Sequence, residues 1–313
     1  MNLERCPQMT LDMTKLSPDY PAKPFLKWAG GKGQILHEIQ KKYPAELGRE
    51  INKYAEPFIG GGAVFFDVMN HYVFKDVYIS DINEELIHTY ITIRDSIDEL
   101  IKILCEYENE YLPADADERK SIYYEKRNRF NALKMNCDNS PELAARFIFL
   151  NRTCFNGLYR VNAKGGFNVP QGSYKNPCIC DEGNLRAVSK KLHNVTIVCG
   201  DYKLASEFID HHTFAYFDPP YRPLSQTARF TAYAQDGFDD TAQAELAMFI
   251  DEISERGAYV VASNSDPKNI DEHDDFFDRL YARHEILRIE ASRAINSNGA
   301  KRGKVSELLI VSG

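Results

Sequence analysis

Long apolar runs are missing from this 313-residue chain. No stretch approaches the roughly 20 apolar residues that a membrane-spanning helix needs. The first residues, Met1 to Cys6, lack the apolar core and cleavage site of a secretory signal peptide. The seven cysteines are odd in number and do not follow a disulfide framework, which favours reduced thiols. These absences argue against a membrane protein or a disulfide-stapled secreted protein, and they predict a cytoplasmic location.

Three common ligand-binding patterns are also missing. A phosphate loop requires Ser or Thr after Lys32, and Gly33 stands there. The glycines of residues 60–62 are followed by Val64 and Phe65, which does not fit the dinucleotide pattern and disfavours a nicotinamide oxidoreductase. Cys178 and Cys180 are one residue apart, whereas zinc sites favour wider pairs with matching partners. The sequence therefore predicts no metal.

Positive charge is scarce overall but locally concentrated. The formal net charge is −8, which argues against a protein that coats DNA generally. Residues 119–164 nevertheless hold ten Lys and Arg against three acidic residues, and residues 291–304 hold four basic residues and no acid. A basic face on an acidic body suits an enzyme that contacts DNA locally. Two solvated surfaces are the alternative interpretation.

The most informative stretch is residues 213–221. Residues 213–217 are apolar, aromatic and β-branched, which is typical of a strand buried on both faces. The strand must end at Asp218-Pro-Pro-Tyr221, because proline cannot continue a central strand. The Asp218 carboxylate and the Pro219 carbonyl can accept both N–H bonds of an exocyclic base amine, and Tyr221 can stack on the base. The alternative is a Pro-Pro turn with a solvated Asp and Tyr.

A second predicted feature is a cofactor-binding corner. Residues 53–58 read as a strand and residues 63–69 as a helix, with Gly60 to Gly62 between them. Asp81 ends the next strand about 20 residues later, where an acid is placed to bind ribose hydroxyls. The alternative role for Asp81 is an N-cap of the following helix. Asp201, after a third strand, can accept an adenine amino group or cap a helix.

The order of these patterns predicts the domain organisation. Residues 1–23 are polar and proline-broken and read as a poorly ordered leader. Strands and helices alternate over residues 24–94 and 191–313, which predicts a doubly wound α/β mixed sheet. Residues 95–190 interrupt that alternation with three helices and a long irregular loop at 151–174. Long irregular loops are usually functional, so this insert is a candidate recognition domain.

Five motifs in a fixed order resemble the Dam-type, alpha-class DNA adenine-N6 methyltransferases. They are Phe25-Leu-Lys-Trp-Ala-Gly-Gly-Lys32, Glu56-Pro-Phe-Ile-Gly-Gly-Gly-Ala-Val-Phe65, Asn151-Arg-Thr-Cys-Phe-Asn-Gly-Leu-Tyr-Arg160, Asp218-Pro-Pro-Tyr221 and Arg293-Ala-Ile-Asn296. The resemblance runs from about residue 24 to the end of the sequence. It implies a Rossmann-like methyltransferase fold and transfer of a methyl group from S-adenosylmethionine to adenine N6 in a flipped base.

The resemblance also implies roles for individual residues. The catalytic set is Asp218, Pro219, Pro220 and Tyr221. The cofactor-binding set is Trp28, Lys32, Glu56, Phe58, Gly60, Gly62, Asp81, Asp201 and Asp218. The DNA-binding set is Lys27, Arg152, Phe155, Asn156, Leu158, Arg160, Pro170, Arg293 and Asn296.

Within the DNA-binding set, Arg160 falls where the family reads guanine, which fits bidentate contact to O6 and N7. Phe155 falls where an aromatic ring enters the base stack. The implied partner is double-stranded DNA with a GATC-type palindrome, and a cognate restriction endonuclease acting on the same site is compatible with the resemblance. The alternatives are methylation of cytosine N4, RNA or protein glutamine, and a non-catalytic DNA-binding protein. Asp rather than Asn or Ser before Pro-Pro-Tyr favours adenine.

Overall fold

The computed structural model describes residues 20–222, 238–292 and 304–312. They form two compact units. Residues 20–31 and 84–193 make the helical unit, and the other described residues make the sheet unit. The boundaries at 83/84 and 193/194 differ from the predicted 94/95 and 190/191, because the helix that begins at Glu84 packs with the helices that follow it. No helix in the described ranges is both long and apolar enough to cross a membrane.

The elements are numbered in chain order. The helices are α1 Leu36–Gln40, α2 Ala63–His71, α3 Glu84–Asp95, α4 Ile97–Tyr111, α5 Ala116–Met135, α6 Pro141–Thr153, α7 Glu182–Leu192, α8 Asp240–Glu255 and α9 Phe276–Leu280. The strands are β1 Lys53–Glu56, β2 Asp76–Asp81, β3 Val195–Cys199, β4 Thr213–Phe217, β5 Tyr259–Ser265, β6 Glu285–Ser292 and β7 Lys304–Ser312. Short 3-10 turns lie at Lys32–Gln34, Phe155–Gly157, Tyr202–Ala205 and Pro267–Asn269.

The sheet unit is built on one seven-stranded mixed sheet. The strand order is β3-β2-β1-β4-β5-β7-β6, and β7 runs antiparallel to both of its neighbours while the first five strands are parallel. The order reverses between β1 and β4, which pair in parallel with Ala55 opposite Ala215. This arrangement confirms the predicted methyltransferase variant of the doubly wound α/β fold.

Both faces of the central strands are buried, as their sequences require. Ala55 and Ala215 lie in a cluster with Leu246 of α8, which covers one face. On the other face the Tyr54 and Phe214 rings lie 5.6 Å apart. A strand covered on both sides cannot alternate polar and apolar residues, which is why β4 reads as one continuous apolar run.

Two helices in the sheet unit are shorter than their sequences predict. The helical spacing of Ile35, Leu36 and Ile39 predicts a helix at residues 34–43, whereas the structure has α1 preceded by a 3-10 turn. The chain turns before Pro44, which disfavours a helical residue ahead of it. The sequence after Asp201 predicts a helix at residues 204–209, where the structure has the 3-10 turn Tyr202–Ala205. Its N-cap is Asp201, whose side chain accepts a hydrogen bond from the Lys203 backbone N–H.

The helical unit is organised around α6. Ten of the thirteen α6 residues are buried, since α3, α4 and α5 all pack against it. The sequence predicts a basic helix at residues 119–133, and α5 begins three residues earlier, at Ala116, because Asp115 and Glu118 form a reciprocal capping box. The chain leaves α6 at Thr153 and enters an irregular segment, residues 154–180, before α7.

Candidate functional site

The Asp218-Pro-Pro-Tyr221 turn lies at the carboxyl end of β4, where the strand order of the sheet reverses. All five residues of β4 are buried, and the turn begins directly after Phe217. The neighbouring parallel strand is β1, which runs into the glycine corner. In open α/β sheets this reversal point opens the crevice in which ligands bind. The predicted catalytic turn and cofactor corner therefore belong to adjacent strands of one sheet.

The Asp218 carboxylate is held by a lysine and a serine. Lys32 Nζ lies 2.7 Å from Asp218 Oδ1, and Lys32 is only 5% exposed. Ser263, on β5, donates a hydrogen bond to the same oxygen at 3.0 Å. Burial raises the pKa of Asp218 above its usual range, and the Lys32 ammonium and Ser263 hydroxyl act against that shift by favouring the ionised form.

Tyr221 lies beside this ion pair. Lys32 Nζ is 4.6 Å from the centre of the Tyr221 ring, and the Tyr221 hydroxyl donates to Glu307 Oε2 at 2.7 Å. Burial and the negative charges of Asp218 and Glu307 raise the pKa of Tyr221 far above its usual value. The phenol therefore stays neutral and its ring is fixed as a flat surface next to the carboxylate.

A buried network that the sequence did not reveal fixes the turn. Gln243 of α8 donates to the Pro220 carbonyl at 3.0 Å, and Asn264 of β5 donates to Gln243 at 3.0 Å. The side-chain oxygen of Asn264, Oδ1, in turn accepts a hydrogen bond from the Arg222 backbone N–H. The sequence contained one indication of this network, because Gln243 and Asn264 are polar residues at positions where the pattern of α8 and β5 calls for buried side chains.

Arg222 anchors the end of the turn. Its buried guanidinium forms ion pairs with Asp240 at 2.7 Å and Asp274 at 2.8 Å, and it lies 4.1 Å from the centre of the Phe276 ring. A guanidinium satisfied by two carboxylates and stacked on a ring is held in one orientation. Because Arg222 directly follows Tyr221, these contacts fix the carboxyl end of the motif.

The glycine corner after β1 contacts Asp81 directly. Gly60 and Gly62 have φ of 46° and 71°, the left-handed region that favours glycine. The Gly60 backbone N–H donates to Asp81 Oδ2 at 3.1 Å, and the Asn83 N–H donates to Oδ1 at 3.0 Å. Burial raises the pKa of Asp81, and these N–H groups act against the rise. Asp81 therefore ties the end of β2 to the glycine turn.

Glu56, the last residue of β1, is buried below this corner. The Tyr54 hydroxyl donates to its Oε2 at 2.5 Å, and the Phe65 backbone N–H near the start of α2 also bonds to it. Burial, together with the negative charge of Asp218, raises the pKa of Glu56 well above its usual value. An incoming ammonium group is the kind of partner that restores the charged form of such a carboxylate.

Two further predicted cofactor residues lie at the same rim. The half-buried Phe58 ring stacks on Tyr202 with centroids 5.4 Å apart. The Gly200 N–H bonds to the Asp81 carbonyl at 3.0 Å, which brings the start of the Asp201 turn to the end of β2. The exposed Asp201 side chain caps its own 3-10 turn, the alternative role that the sequence had left open.

In the helical unit, the buried Asn151 side chain ties two predicted motifs together. Its oxygen accepts from the Lys27 N–H at 2.8 Å, and its amide donates to the Lys27 carbonyl at 2.7 Å and the Gly157 carbonyl at 3.0 Å. A Cβ at Gly157 would lie 2.5 Å from the Lys27 side chain, so only glycine fits. The Lys27 ammonium lies 3.9 Å from the centre of the Tyr174 ring.

The loop after α6 displays apolar side chains to solvent. Phe155 is 52% exposed and Leu158 is 39% exposed. Asn156 between them adopts φ of 56°, which turns the chain sharply. The Phe155 N–H donates to the Pro170 carbonyl at 2.9 Å, which closes the base of the loop. The predicted residues at 155, 156, 158 and 170 are thus brought together on one loop.

The predicted basic residues have different environments. Exposed Arg160 is oriented by Asn168, whose side-chain oxygen accepts from Arg160 Nε at 2.8 Å. Half-buried Arg152 donates to the Phe25 carbonyl at 2.8 Å and so holds the segment before Lys27 in place. Arg293 and Asn296 lie outside the described residues.

A polar cluster beneath Arg160 was not predicted. The Tyr159 hydroxyl donates to Glu85 Oε2 at 2.8 Å and accepts from Lys134 Nζ at 3.1 Å. Lys134 also pairs with Glu85 at 2.6 Å, and Glu85 is buried. The predicted cofactor residue Trp28 stacks on the Tyr159 ring with centroids 6.0 Å apart. The described contacts of Trp28 therefore orient the loop that follows α6.

Within residues 20–222, 238–292 and 304–312, no group of three or more His, Cys, Asp or Glu side chains is arranged to hold a metal ion.

Comparisons with known proteins identify the family of the chain. The family described as D12 class N6 adenine-specific DNA methyltransferase matches residues 28–295. The type II methyltransferase M.MjaIII of Methanocaldococcus jannaschii is 50% identical over 291 residues, 92% of this chain and 98% of that protein. The type II methyltransferase M1.LlaDCHI of Lactococcus lactis subsp. cremoris is 36% identical, over 92% of this chain and 94% of that protein. A DNA adenine methylase of Vibrio cholerae is 37% identical, over 91% and 94%. The chain belongs to the family of D12 class N6 adenine-specific DNA methyltransferases.

Proposed function

We propose that this protein transfers the methyl group of S-adenosylmethionine to N6 of an adenine that has been rotated out of double-stranded DNA. The observation that carries the proposal is the pairing of a buried cation with both Asp218 and the Tyr221 ring. The carboxylate that accepts from the Lys32 ammonium at 2.7 Å is equally able to accept from a base amine. The ring that lies 4.6 Å from the same nitrogen is placed to stack on the base.

The residues at the β1 and β2 ends fit S-adenosylmethionine. Asp81 is fixed by the Gly60 N–H and can still accept from ribose hydroxyls, since each carboxylate oxygen has two lone pairs. Glu56 is buried with a raised pKa and suits the ammonium of the methionine part. Phe58 and Gly62 line the corner, and Asp201 suits the adenine amino group. When bound, this cofactor supplies an already activated methyl group on a sulfonium.

The protein then has to position the adenine amine and increase its electron density. An exocyclic amine is a poor nucleophile because its lone pair is delocalised into the ring. Asp218 and the Pro219 carbonyl accept its two N–H bonds, which draws charge onto the nitrogen and orients it. The Gln243 bond to Pro220 and the ion pairs of Arg222 hold these acceptors rigidly.

DNA recognition is assigned to the loop after α6. Exposed Phe155 is suited to entering the base stack as the adenine leaves it. Arg160, oriented by Asn168, is suited to bidentate contact with guanine O6 and N7. Lys27, Asn156, Leu158 and Pro170 form the flanks of this surface, and Arg152 supports it. A GATC-type palindrome is proposed on the resemblance alone.

A cognate restriction endonuclease is a further proposed partner. Two relatives are named type II methyltransferases, while others are named DNA adenine methylases. If this protein works beside a restriction endonuclease, plasmid DNA that it has methylated should resist cleavage by an endonuclease from the same source. Survival of a methylated plasmid in the source extract, with unmethylated plasmid as the control, tests this role.

The main proposal is tested by incubating the protein with methyl-labelled S-adenosylmethionine and plasmid DNA, followed by nucleoside analysis and mapping of the modified sites. Label in N6-methyladenine at a short guanine-containing site is the expected result. Label in N4-methylcytosine would show that the target base is cytosine and not adenine. Specific binding to plasmid without any label would leave a non-catalytic DNA-binding protein.

A further inference from the structure

Two cysteines that the proposed reaction does not use meet inside the helical unit. The sulfur atoms of Cys105, on α4, and Cys180, just before α7, lie 3.2 Å apart although the residues are 75 positions apart in sequence. Cys105 is half-buried and Cys180 is buried. A disulfide has an S–S distance of about 2.05 Å, so bond formation requires an approach of only about 1 Å.

The backbone, rather than two mobile side chains, sets this separation. The Glu108 carboxylate accepts hydrogen bonds from the backbone N–H groups of Ile179 and Cys180, both at 3.0 Å. The Cys180 thiol also lies 3.8 Å from the Ile101 carbonyl. Residues 101, 105 and 108 follow one face of α4, because helical neighbours recur every three or four residues. The irregular segment before α7 therefore packs on α4 through contacts one helical turn before Cys105, at Ile101, and one turn after it, at Glu108.

We propose that Cys105 and Cys180 are a site of reversible oxidation, which a hydroperoxide converts to an intramolecular disulfide. The Cys105 thiol, the more exposed of the two, loses its proton and attacks the peroxide O–O bond, giving a sulfenic acid and one water. The Cys180 sulfur then attacks the sulfenic sulfur, and the hydroxyl leaves with the Cys180 proton as a second water. In total, two thiols and one hydrogen peroxide give one disulfide and two waters.

The environment of the pair supports this order of events. Burial and the neighbouring Cys105 sulfur raise the pKa of Cys180, so Cys180 remains a thiol until its partner is oxidised. The bond would close a loop that contains α5, α6 and the segment with Phe155 and Arg160. Cross-linking a long loop stabilises mainly by restricting the unfolded chain. The disulfide is therefore expected to staple the end of the recognition segment to α4.

The other described cysteines provide internal controls. Cys137 and Cys199 are exposed, so both are accessible to peroxide and to alkylating reagents. They therefore report on reactivity that comes from exposure alone. Cys154 is buried elsewhere, and its thiol lies 3.4 Å from the Leu158 carbonyl. Cys137→Ser is thus the matched control for Cys105→Ser, since both remove one thiol from the helical unit.

The test exposes the full-length protein to graded hydrogen peroxide, blocks remaining thiols under denaturing conditions and maps linked peptides without reduction. One dominant link between the Cys105 and Cys180 peptides is expected. The melting temperature should rise by about 5–10 °C and return to its starting value on reduction. Cys105→Ser and Cys180→Ser should abolish both changes, whereas Cys137→Ser should retain them.

Other outcomes would overturn the proposal. They are a dominant link between Cys178 and Cys180, a scatter of links that includes Cys137, and alkylation of Cys105 and Cys180 at every peroxide dose. If buried Cys180→Ser does not fold, half-buried Cys105→Ser decides the question alone. A melting shift that persists in Cys105→Ser would also contradict it. None of these measurements requires methyl transfer, so they are independent of the proposed function.

Discussion

The Lys32 ammonium lies 2.7 Å from an Asp218 oxygen and 4.6 Å from the centre of the Tyr221 ring. One cation thus contacts both groups that we assign to the adenine amine and its base. Because Lys32 is 5% exposed, the ion pair is poorly screened by solvent. Lys32 favours the ionised form of Asp218 but occupies the same oxygen that the base amine would use, and this relationship leads to the first two predictions.

Replacing Asp218 should remove methyl transfer and leave DNA binding intact. Asp218→Ala deletes one of two acceptors for the base amine, and loss of one such group costs at least about 100-fold in rate. Labelled-methyl incorporation and a DNA-binding titration measure the two effects. Asp95→Asn, which changes an exposed carboxylate paired with Arg94, is the control and should keep its activity. Retention of most turnover by Asp218→Ala would refute the catalytic assignment.

Removing the Lys32 charge should shift the acidic limb of the pH profile of kcat/KM. In the proposed mechanism the reaction requires ionised Asp218, so activity should fall as the pH drops through the Asp218 pKa, which burial has already raised. Lys32 lowers that pKa, so Lys32→Met raises it further and moves the acidic limb to higher pH. Lys41→Met, at an exposed lysine on the same segment paired with Glu38, is the control. An unmoved limb would mean that the ion pair does not control the reacting carboxylate.

Arg160→Ala should relax sequence preference at one guanine. Loss of a bidentate contact costs about 1–3 kcal/mol of discrimination at the base that it reads. Methylation rates on a set of duplexes that vary one position at a time measure this. Lys164→Ala, an exposed charge on the same loop, should weaken binding evenly across sequences. An unchanged preference in Arg160→Ala would exclude this residue from base reading.

Tyr159→Phe should loosen the loop without removing its aromatic packing. The ring stack on Trp28 is kept, while the bonds to Glu85 and Lys134 are lost. Leaving a buried carboxylate short of one partner costs about 1–3 kcal/mol of unfolding free energy. Denaturant titration measures that cost, and discrimination at the Arg160 site should fall in parallel. Tyr124→Phe, at a half-buried ring on α5, is the control and should change neither quantity.

Arg222→Met should destabilise the sheet unit and lower activity together. It removes the buried guanidinium from Asp240, which is half-exposed, and from Asp274, which is partly exposed. Because solvent can hydrate these carboxylates, the cost should be below the roughly 3–5 kcal/mol of a fully buried ion pair but above the roughly 1 kcal/mol of an exposed one. Urea unfolding gives the stability change. Arg256→Met breaks an exposed pair with Glu252 and should cost under about 1 kcal/mol. Equal costs for the two variants would contradict the anchoring role of Arg222.

Sequence reasoning was most successful where the deciding forces were local or periodic. The sequence predicts strands at residues 195–199 and 213–217, and these are the bounds of β3 and β4. β4 is buried on both faces and is a continuous apolar run that proline ends, whereas β3 is a partly exposed strand at the edge of the sheet, where Gly200 follows its apolar and β-branched residues. Helix ends were less accurate. The start of α5 depends on the capping box of Asp115 and Glu118, and the shortened α1 depends on Pro44, signals that the apolar spacing alone does not contain.

For the candidate site, the sequence by itself determined which chemical groups are present: an acid and two prolines after a buried strand, a glycine corner with an acid behind it, and a basic loop. Tertiary structure alone decided which of these groups meet. The Lys32–Asp218 pair, the Gln243–Asn264–Arg222 network and the Tyr159–Glu85–Lys134 cluster join residues distant in sequence. Strand ends and turns follow from interactions between neighbours along the chain. Buried ion pairs and amide networks depend instead on how whole elements pack, since only packing removes the water that would otherwise solvate those groups.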